Sequence, residues 1–475
     1  MADTLPVKLA LARAVGALSR RRGGGATSAP GKALLRMQPN AIATLAARLR
    51  RGSVLISATN GKTTTASLAA AILERDGVRL VHNHSGANMA GGIAATLLAA
   101  TLPGGAIDGE LGLFEVDELW LGPLATQLQP RAILLANLFR DQLDRYGELE
   151  TIVERWEEAL CNGDAQLVLN ADDPSIADLG RDRAGVVYFG VEDDSLALAG
   201  MAHAADAKHC RSCGSPYVFD AIYLGHLGHY HCPSCGRARP TPLVTASDVR
   251  LEGVRAAAFT LRTPAGEARV ALALPGLYNV YNALGAAALA TALGVGLETI
   301  AAGLAATTPA FGRAETVTLT VPSAANGMLA SAGGHRELCI LLVKNPAGAN
   351  EVLRTLALEP GEHDLLGVLN DHIADGHDVS WIWDADFEQL AGRIRLATCS
   401  GTRAADLATR LKYAGVEPER IHIQEDLSRA LDEAAADHAP HSEPPPPLYA
   451  LPTYTAMLAL RELLVARGEA SSAWS

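Results

Sequence analysis

The stretch Ile56-Ser57-Ala58-Thr59-Asn60-Gly61-Lys62-Thr63-Thr64-Thr65 constrains this chain more than any other. Before it, Ser53-Val54-Leu55-Ile56 reads as a short buried strand. After it, Thr64 to Leu73 is rich in Ala and Leu at helical spacing. A strand, a tight Gly-Lys-Thr turn and a helix make a phosphate cradle. Backbone N–H groups at the helix start point at an anion, the helix dipole favours negative charge, and Lys62 adds a mobile cation. Thr63 would place its hydroxyl on a Mg²⁺ bound to the β- and γ-phosphates. The general phosphate-loop pattern has Gly where Ile56 stands, so an ordinary helix opened by a Gly-Lys turn is the competing reading until other parts of a nucleotide site are found.

The chain has 475 residues, 49% hydrophobic and 19% charged. That length is ample for roughly two to four domains with sizeable cores. A net charge of −12 argues against general nucleic-acid affinity. The charge is unevenly spread: residues 1–51 hold ten Lys/Arg and one acid, Asp3, so by difference the remainder carries about −21. The basic amphipathic start (Lys8, Arg13, Arg20, Arg21, Arg22) reads either as a solvated helix face or as a peripheral contact with anionic lipid. No stretch reads as a signal peptide or membrane span, which places the chain in the cytoplasm and makes disulfides among its seven cysteines unexpected.

Residues 1–50 read as a helical segment with a break at Gly23–Gly31. From Ser53 to about Gly190, strand candidates alternate with helical stretches: Val54–Ile56, Leu80–His82, Leu113–Val116, Ala132–Ala136, Leu167–Leu169 and Val186–Phe189. Such alternation predicts a mainly parallel sheet covered by helices, with ligand sites at the carboxyl ends of the strands. A second alternating section, with strands at Leu338–Val343, Leu365–Leu369, Ile394–Thr398 and Ile421–Ile423, predicts a smaller α/β domain. The division expected is an N-terminal basic segment (1–50), a central α/β domain carrying the phosphate loop (51–316), a Ser/Ala/Gly-rich linker (317–336) and a C-terminal domain (337–475). The run Glu443-Pro-Pro-Pro-Pro447 reads as a stiff connector before a last strand and helix.

Three constellations carry chemistry. Glu115 and Asp117 fall on one side at the end of a strand, where a Mg²⁺ ligand would be needed beside the phosphate loop; an acidic helix cap is the alternative. Asn137-Leu-Phe-Arg140-Asp141-Gln-Leu-Asp144-Arg145-Tyr146-Gly147 also follows a strand and is denser in polar groups than a plain turn. Cys210-x-x-Cys213-Gly and Cys232-x-x-Cys235-Gly, inserted within 205–240, have the spacing of a tetrahedral Zn²⁺ site. Four thiolates leave no open position for water, so that metal is structural, and His203, His209, His226, His229 and His231 are left unassigned.

Thr59-Asn60-Gly61-Lys62-Thr63-Thr64, Leu169-Asn170-Ala171-Asp172-Asp173-Pro174, Gly276-x-x-Asn279-x-x-Asn282-Ala283 and Phe311-Gly312-Arg313-x-Glu315 resemble the successive signatures of the Mur ligase superfamily. The four-Cys insertion, the Asn137 motif, Leu342-Val343-Lys344-Asn345-Pro346-Ala347-Gly348 and Asn370–Asp384 resemble its MurT-type branch, a subunit of lipid II isoglutaminyl synthase. The resemblance runs from about residue 40 to 464. It implies that Thr59, Asn60, Gly61, Lys62, Thr63 and Thr64 hold ATP, with Asn282 and Arg313 as further nucleotide contacts. Thr63 and Glu115 would hold Mg²⁺. Ala58 stands where many relatives have Gly, and Gln142 where amino-acid-adding relatives have a metal-binding His.

The reaction so implied is amidation of the D-glutamate α-carboxylate of lipid II at the inner face of the cell membrane. Ammonia would come from a class I glutamine amidotransferase-like glutaminase joined in a heterodimer. The chain itself has no Gly-x-Cys-x-Gly nucleophile elbow. The resemblance also implies that a C-terminal Asp completes the partner's Cys–His pair. Asp378 is the choice among Asp371, Asp375, Asp378 and Asp384, which spacing alone does not rank. Two rivals stand beside this reading: a free-standing Mur- or folylpolyglutamate-type amino-acid ligase, and a non-catalytic ATP-binding zinc-ribbon scaffold.

Overall fold

The computed structural model describes residues 5–21, 28–83, 87–141, 149–161, 163–200, 205–307, 313–321, 334–436 and 445–470. Gln142, Asp144–Gly147 and Phe311-Gly312 lie outside the described residues.

Helices α1 (Leu5–Arg21), α2 (Ala29–Met37) and α3 (Ala41–Ala46) precede the first strand. The central strands are β1 (Ser53–Ser57), β2 (Leu80–His82), β3 (Leu111–Glu115), β4 (Ala132–Leu135), β5 (Gln166–Asn170) and β6 (Val187–Val191). A hairpin, β7 (Val218–Leu224) and β8 (Leu227–His231), forms a separate two-stranded sheet. A meander, β9 (Val244–Glu252), β10 (Ala256–Thr263) and β11 (Gly266–Leu272), then joins the central sheet, whose order is β11-β10-β9-β6-β5-β4-β1-β3-β2. Pairing from β2 through β9 is parallel, and β9, β10 and β11 pair antiparallel.

The apolar strand runs follow from burial on both sheet faces. Val54 and Ile56 of β1 enter one core with Leu113, Leu134, Phe189 and the helix Leu277–Ala292. Leu55 enters the opposite core with Phe114, Leu135, Leu34 and Trp156. Helix α4 (Lys62–Arg75) covers the first face; α5 (Ala90–Ala100) and α6 (Leu121–Leu128) cover the second. Because β1 pairs with β3 on one side and β4 on the other, the chain leaves β1 into a crevice between diverging connections. That crevice lies at the carboxyl ends of β1, β3 and β4, where open α/β sheets bind ligands.

A second sheet has the order β12-β13-β17-β14-β15-β16, from β12 (Arg313–Val321), β13 (Gly334–Leu341), β14 (His363–Val368), β15 (Ile394–Ser400), β16 (Ile421–Ile423) and β17 (Leu448–Pro452). It corrects the expected loop at Val317–Arg336. Both ends of that stretch are strands, and β12 pairs antiparallel with β13 from Arg313↔Leu341 to Val321↔Gly334. The Ser/Ala/Gly composition masks a short alternation in which Val317, Leu319 and Val321 are buried. Arg336 is fully buried, donating to the carbonyls of Pro446 and Ala434 and pairing with Asp364. A position tied this way belongs to the sheet rather than to a linker.

Candidate active site

The loop after β1 turns on Gly61, whose φ of +82° is the left-handed conformation that glycine adopts without penalty. A Cβ there would fall 2.0 Å from Asn282 Oδ1, so the turn and the close approach both exclude a side chain. Ala58 is not among the residues with positive φ, so replacing the family's Gly there carries no backbone strain.

Lys62 opens α4 and is buried. Its ammonium donates to the carbonyl of Ala58 and pairs with Glu118 Oε2 at 3.1 Å. Burial disfavours its charge, but Glu118 and Glu115 outweigh that, and the net pKa is raised. Lys62 is therefore cationic in the folded protein. Thr63 Oγ1 donates to Glu115 Oε2 at 2.8 Å, joining the helix start to the end of β3. Asn88 Nδ2 donates to the other Glu115 oxygen at 3.3 Å, and Asn83 Oδ1 accepts from the Glu115 N–H at 2.9 Å. Asp117, the partner suggested by alternation, turns away to cap the short helical turn Glu118–Trp120. The carboxylate that meets Lys62 is Glu118 instead.

The Asn137 segment backs this loop. Asn137 Oδ1 accepts from Asn60 N–H at 2.9 Å and its Nδ2 donates to the Asn60 carbonyl at 3.0 Å. Thr59 Oγ1 accepts from Phe139 N–H at 3.0 Å. From the helix Leu277–Ala292, Asn282 accepts from Thr65 Oγ1 at 3.3 Å and donates to Asn279 Oδ1 at 3.0 Å. Arg313 is the first residue of β12, and its side chain lies outside the described part.

Local sequence assigns Lys344 and Asn345 no role, yet both cross to the phosphate loop from the other sheet. Lys344 Nζ donates to Asp141 Oδ2 at 2.6 Å and to the Thr59 carbonyl at 2.9 Å. Asn345 Nδ2 donates to Asn60 Oδ1 at 3.0 Å, while Asn345 Oδ1 caps the helix Pro346–Ala357 through Gly348 N–H. The loop is thus closed by groups from both sheets.

Cys210, Cys213, Cys232 and Cys235 come together at the base of the β7–β8 hairpin, their sulfurs all within 4.8 Å of one another. The Ser215 N–H holds the Cys213 thiol down to about 6, while at Cys235 the Arg237 N–H is outweighed by burial and the neighbouring thiols, which push that thiol up to about 12. This donor set fits a tetrahedral metal. The far end of the hairpin carries His226, whose ring lies 4.7 Å from that of Phe139. Both His226 and the neighbouring Asp173, 3.4 Å away, are fully buried. Asp173 also accepts from Leu138 N–H at 2.9 Å, and Arg140 pairs with Asp206. The Cys insertion therefore braces the segment that supports the phosphate loop. The CxxC spacing reveals the cluster, but nothing local in the sequence reveals the brace.

The acids of the 371–384 segment differ sharply in setting. Asp375 is buried, accepting from Thr455 N–H at 2.8 Å and from its hydroxyl. Asp371 is held by the Thr402 hydroxyl at 2.8 Å and by Arg403. Asp378 is exposed, and its Oδ1 accepts from Ser380 N–H at 2.8 Å. Hydrogen bonds from Ser380 keep its carboxyl below the usual range. Asp384 lies 3.9 Å from Arg140 Nη2. Trp381 packs partly into its own core, and the exposed aromatic of this segment is Trp383, 51% accessible and 5.8 Å from exposed Tyr413.

Two family models match the chain: the Mur ligase middle domain over residues 56–230 and the MurT ligase C-terminal domain over residues 342–457. A lipid II isoglutaminyl synthase (glutamine-hydrolyzing) subunit MurT of Staphylococcus aureus (strain N315) is 32% identical over 421 residues, 88% of this chain and 90% of that one. The protein of the same name from Streptococcus pneumoniae is 33% identical over 464 residues, 94% of each. Among solved structures, a pseudomurein peptide ligase type C from Methanothermus fervidus shares the fold, with a TM-score of 0.65 and 23% identity, covering 88% of this chain and 79% of that one. The chain is a member of the Mur ligase family, within its branch of MurT subunits.

Proposed function

We propose that this chain is the ATP-dependent ligase subunit that converts the α-carboxylate of D-glutamate in the lipid II stem peptide to the amide. The observation that carries it is the joining of Lys62, Thr63 and Glu115 at one strand crevice, closed from the second sheet by Lys344 and Asn345. A carboxylate resists ammonia, so one of its oxygens must first attack the γ-phosphorus of ATP as the bond to ADP breaks. Ammonia then attacks the acyl carbon, phosphate leaves with that oxygen, and the added nitrogen gives up one proton to the departing phosphate. Lys62 and the N–H groups opening α4 stabilise charge developing on the transferred phosphoryl group. Thr63 and Glu115 are the residues that would hold Mg²⁺, which neutralises phosphate charge when bound. Gly61, kept free of a side chain, lets the backbone and Asn282 approach the nucleotide.

In this reading the portion around the nine-stranded sheet activates the carboxylate, and the portion around the six-stranded sheet receives a glutaminase. Exposed Trp383, Tyr413 and Ile373 support that docking, lying on or beside the segment that holds Asp378. Among the described residues no helix is long and apolar enough to cross a membrane. The expected place of action is the cytoplasmic membrane face, where a lipid-linked substrate resides. Reconstitution tests the reading: purified chain and glutaminase partner, with ATP, glutamine and lipid II, should give product lighter by the exchange of hydroxyl for amino group. An amino-acid adduct in its place would support the free-standing ligase.

The metal at the four Cys is inferred to be structural Zn²⁺. Cys232→Ser removes a buried ligand. It should eliminate about one zinc per chain and, by loosening the Phe139 brace, raise the KM for ATP roughly tenfold. Metal analysis with ATP titration checks this; unchanged KM after full zinc loss would separate the ribbon from the loop.

A further inference from the structure

Helix α1 is apolar on two opposite sides. Leu5, Leu9 and Ala12 are buried in the core beneath α2 and α5. Lys8 and Arg13 sit between the two faces and tie the helix down: Lys8 Nζ donates to Gln38 Oε1 at 2.8 Å, and Arg13 donates to the carbonyls of Leu98 and Thr101. The outward face should then be polar, as on a solvated helix. Among the described positions it carries no charge at all. Every exposed described position of α1 is apolar: Val7, Leu11, Val15 and Leu18, 41–63% accessible, with Pro or Ala at the rest.

We infer that the outer face of α1 docks this protein on an anionic lipid surface. The charge around it selects that occupant. Residues 1–51 carry ten Lys/Arg against one acid in a chain of net charge −12, and exposed Lys32 and Arg36 stand on α2, the helix against which α1 packs. An apolar stripe inserted at the acyl boundary beside cations that meet anionic headgroups is the chemistry of an interfacial helix. A second copy placed symmetrically on the same face would bring two such basic segments together, so self-association is disfavoured. The inference rests on the helix surface and the basic residues of the same segment and does not require the amidation reading.

The test is flotation of the full chain with vesicles of phosphatidylglycerol in phosphatidylcholine, against phosphatidylcholine alone. Binding is expected on the anionic vesicles, falling roughly tenfold or more at high salt. The variant Val7→Ser, Leu11→Ser, Val15→Ser, Leu18→Ser changes only exposed positions. It should bind the anionic vesicles roughly tenfold less or weaker still, with an unchanged melting temperature and unchanged amidation of detergent-dispersed substrate. Absence of wild-type flotation, or equal flotation of the variant, overturns the proposal. So does light scattering that shows a wild-type dimer turned into a monomer by the variant, which would make the face a protein interface. Flotation without amidation would overturn the proposed reaction and leave the lipid contact standing.

Discussion

Lys62→Met should lower the rate of ATP-dependent amidation by about 10³-fold. The substitution keeps the length of the side chain and removes its charge. In the structure the ammonium is buried against Glu118 and two loop carbonyls, with Glu115 adding to the field that keeps it protonated. A buried cation drawn to the floor of its own loop can turn toward a phosphate without first acquiring its proton. The neutral thioether would leave Glu118 buried without its cation, so some loss of stability accompanies the loss of rate. Ammonium chloride as nitrogen donor keeps the partner out of the measurement, and a melting curve separates unfolding from lost chemistry. Full product formation by a folded variant would return the non-catalytic scaffold as the better account.

Asp378→Asn should divide the two nitrogen sources. Glutamine-dependent amidation is expected to fall by roughly 10³–10⁴-fold, the scale on which an Asp orienting a catalytic His acts, while ammonia-dependent amidation stays within about twofold. Asp378 is the acid proposed for this role on its setting. Asp375 is spent on Thr455, Asp371 on Thr402 and Arg403, and Asp384 faces Arg140 at 3.9 Å, whereas Asp378 is exposed and fixed through one oxygen by Ser380. Asp375→Asn is the contrast: it loosens the tie to the final helix and should reduce both activities together with the melting temperature. Survival of both activities in Asp378→Asn would mean that this acid does not serve the partner.

Much of the site is legible in the chain because it is local. The Thr59–Thr64 turn, the two CxxC knuckles and the glutamate ending β3 each declare themselves within a few residues. Strand candidates at Leu80–His82 and Ile421–Ile423 coincide with β2 and β16, and the others fall within a few residues of observed strands. What stays hidden depends on long-range pairing. Glu118 reaches Lys62 only because a 3₁₀ turn follows β3, and Lys344 meets Thr59 across 285 positions of sequence. The β9–β11 meander is absent from the expected strands although its buried positions alternate, as suits a sheet with one solvated face. The loop expected at Val317–Arg336 fails at its ends because two short strands there are stabilised by pairing rather than by composition.

On the proposed reaction, this phosphate loop activates a carboxylate by phosphorylating it. Lipid II labelled with ¹⁸O in the glutamate α-carboxylate, amidated by the chain with its partner, ATP and glutamine, tests that directly. Labelled oxygen is expected in the inorganic phosphate, one atom for each amide formed. Unlabelled phosphate accompanying amide product would contradict it.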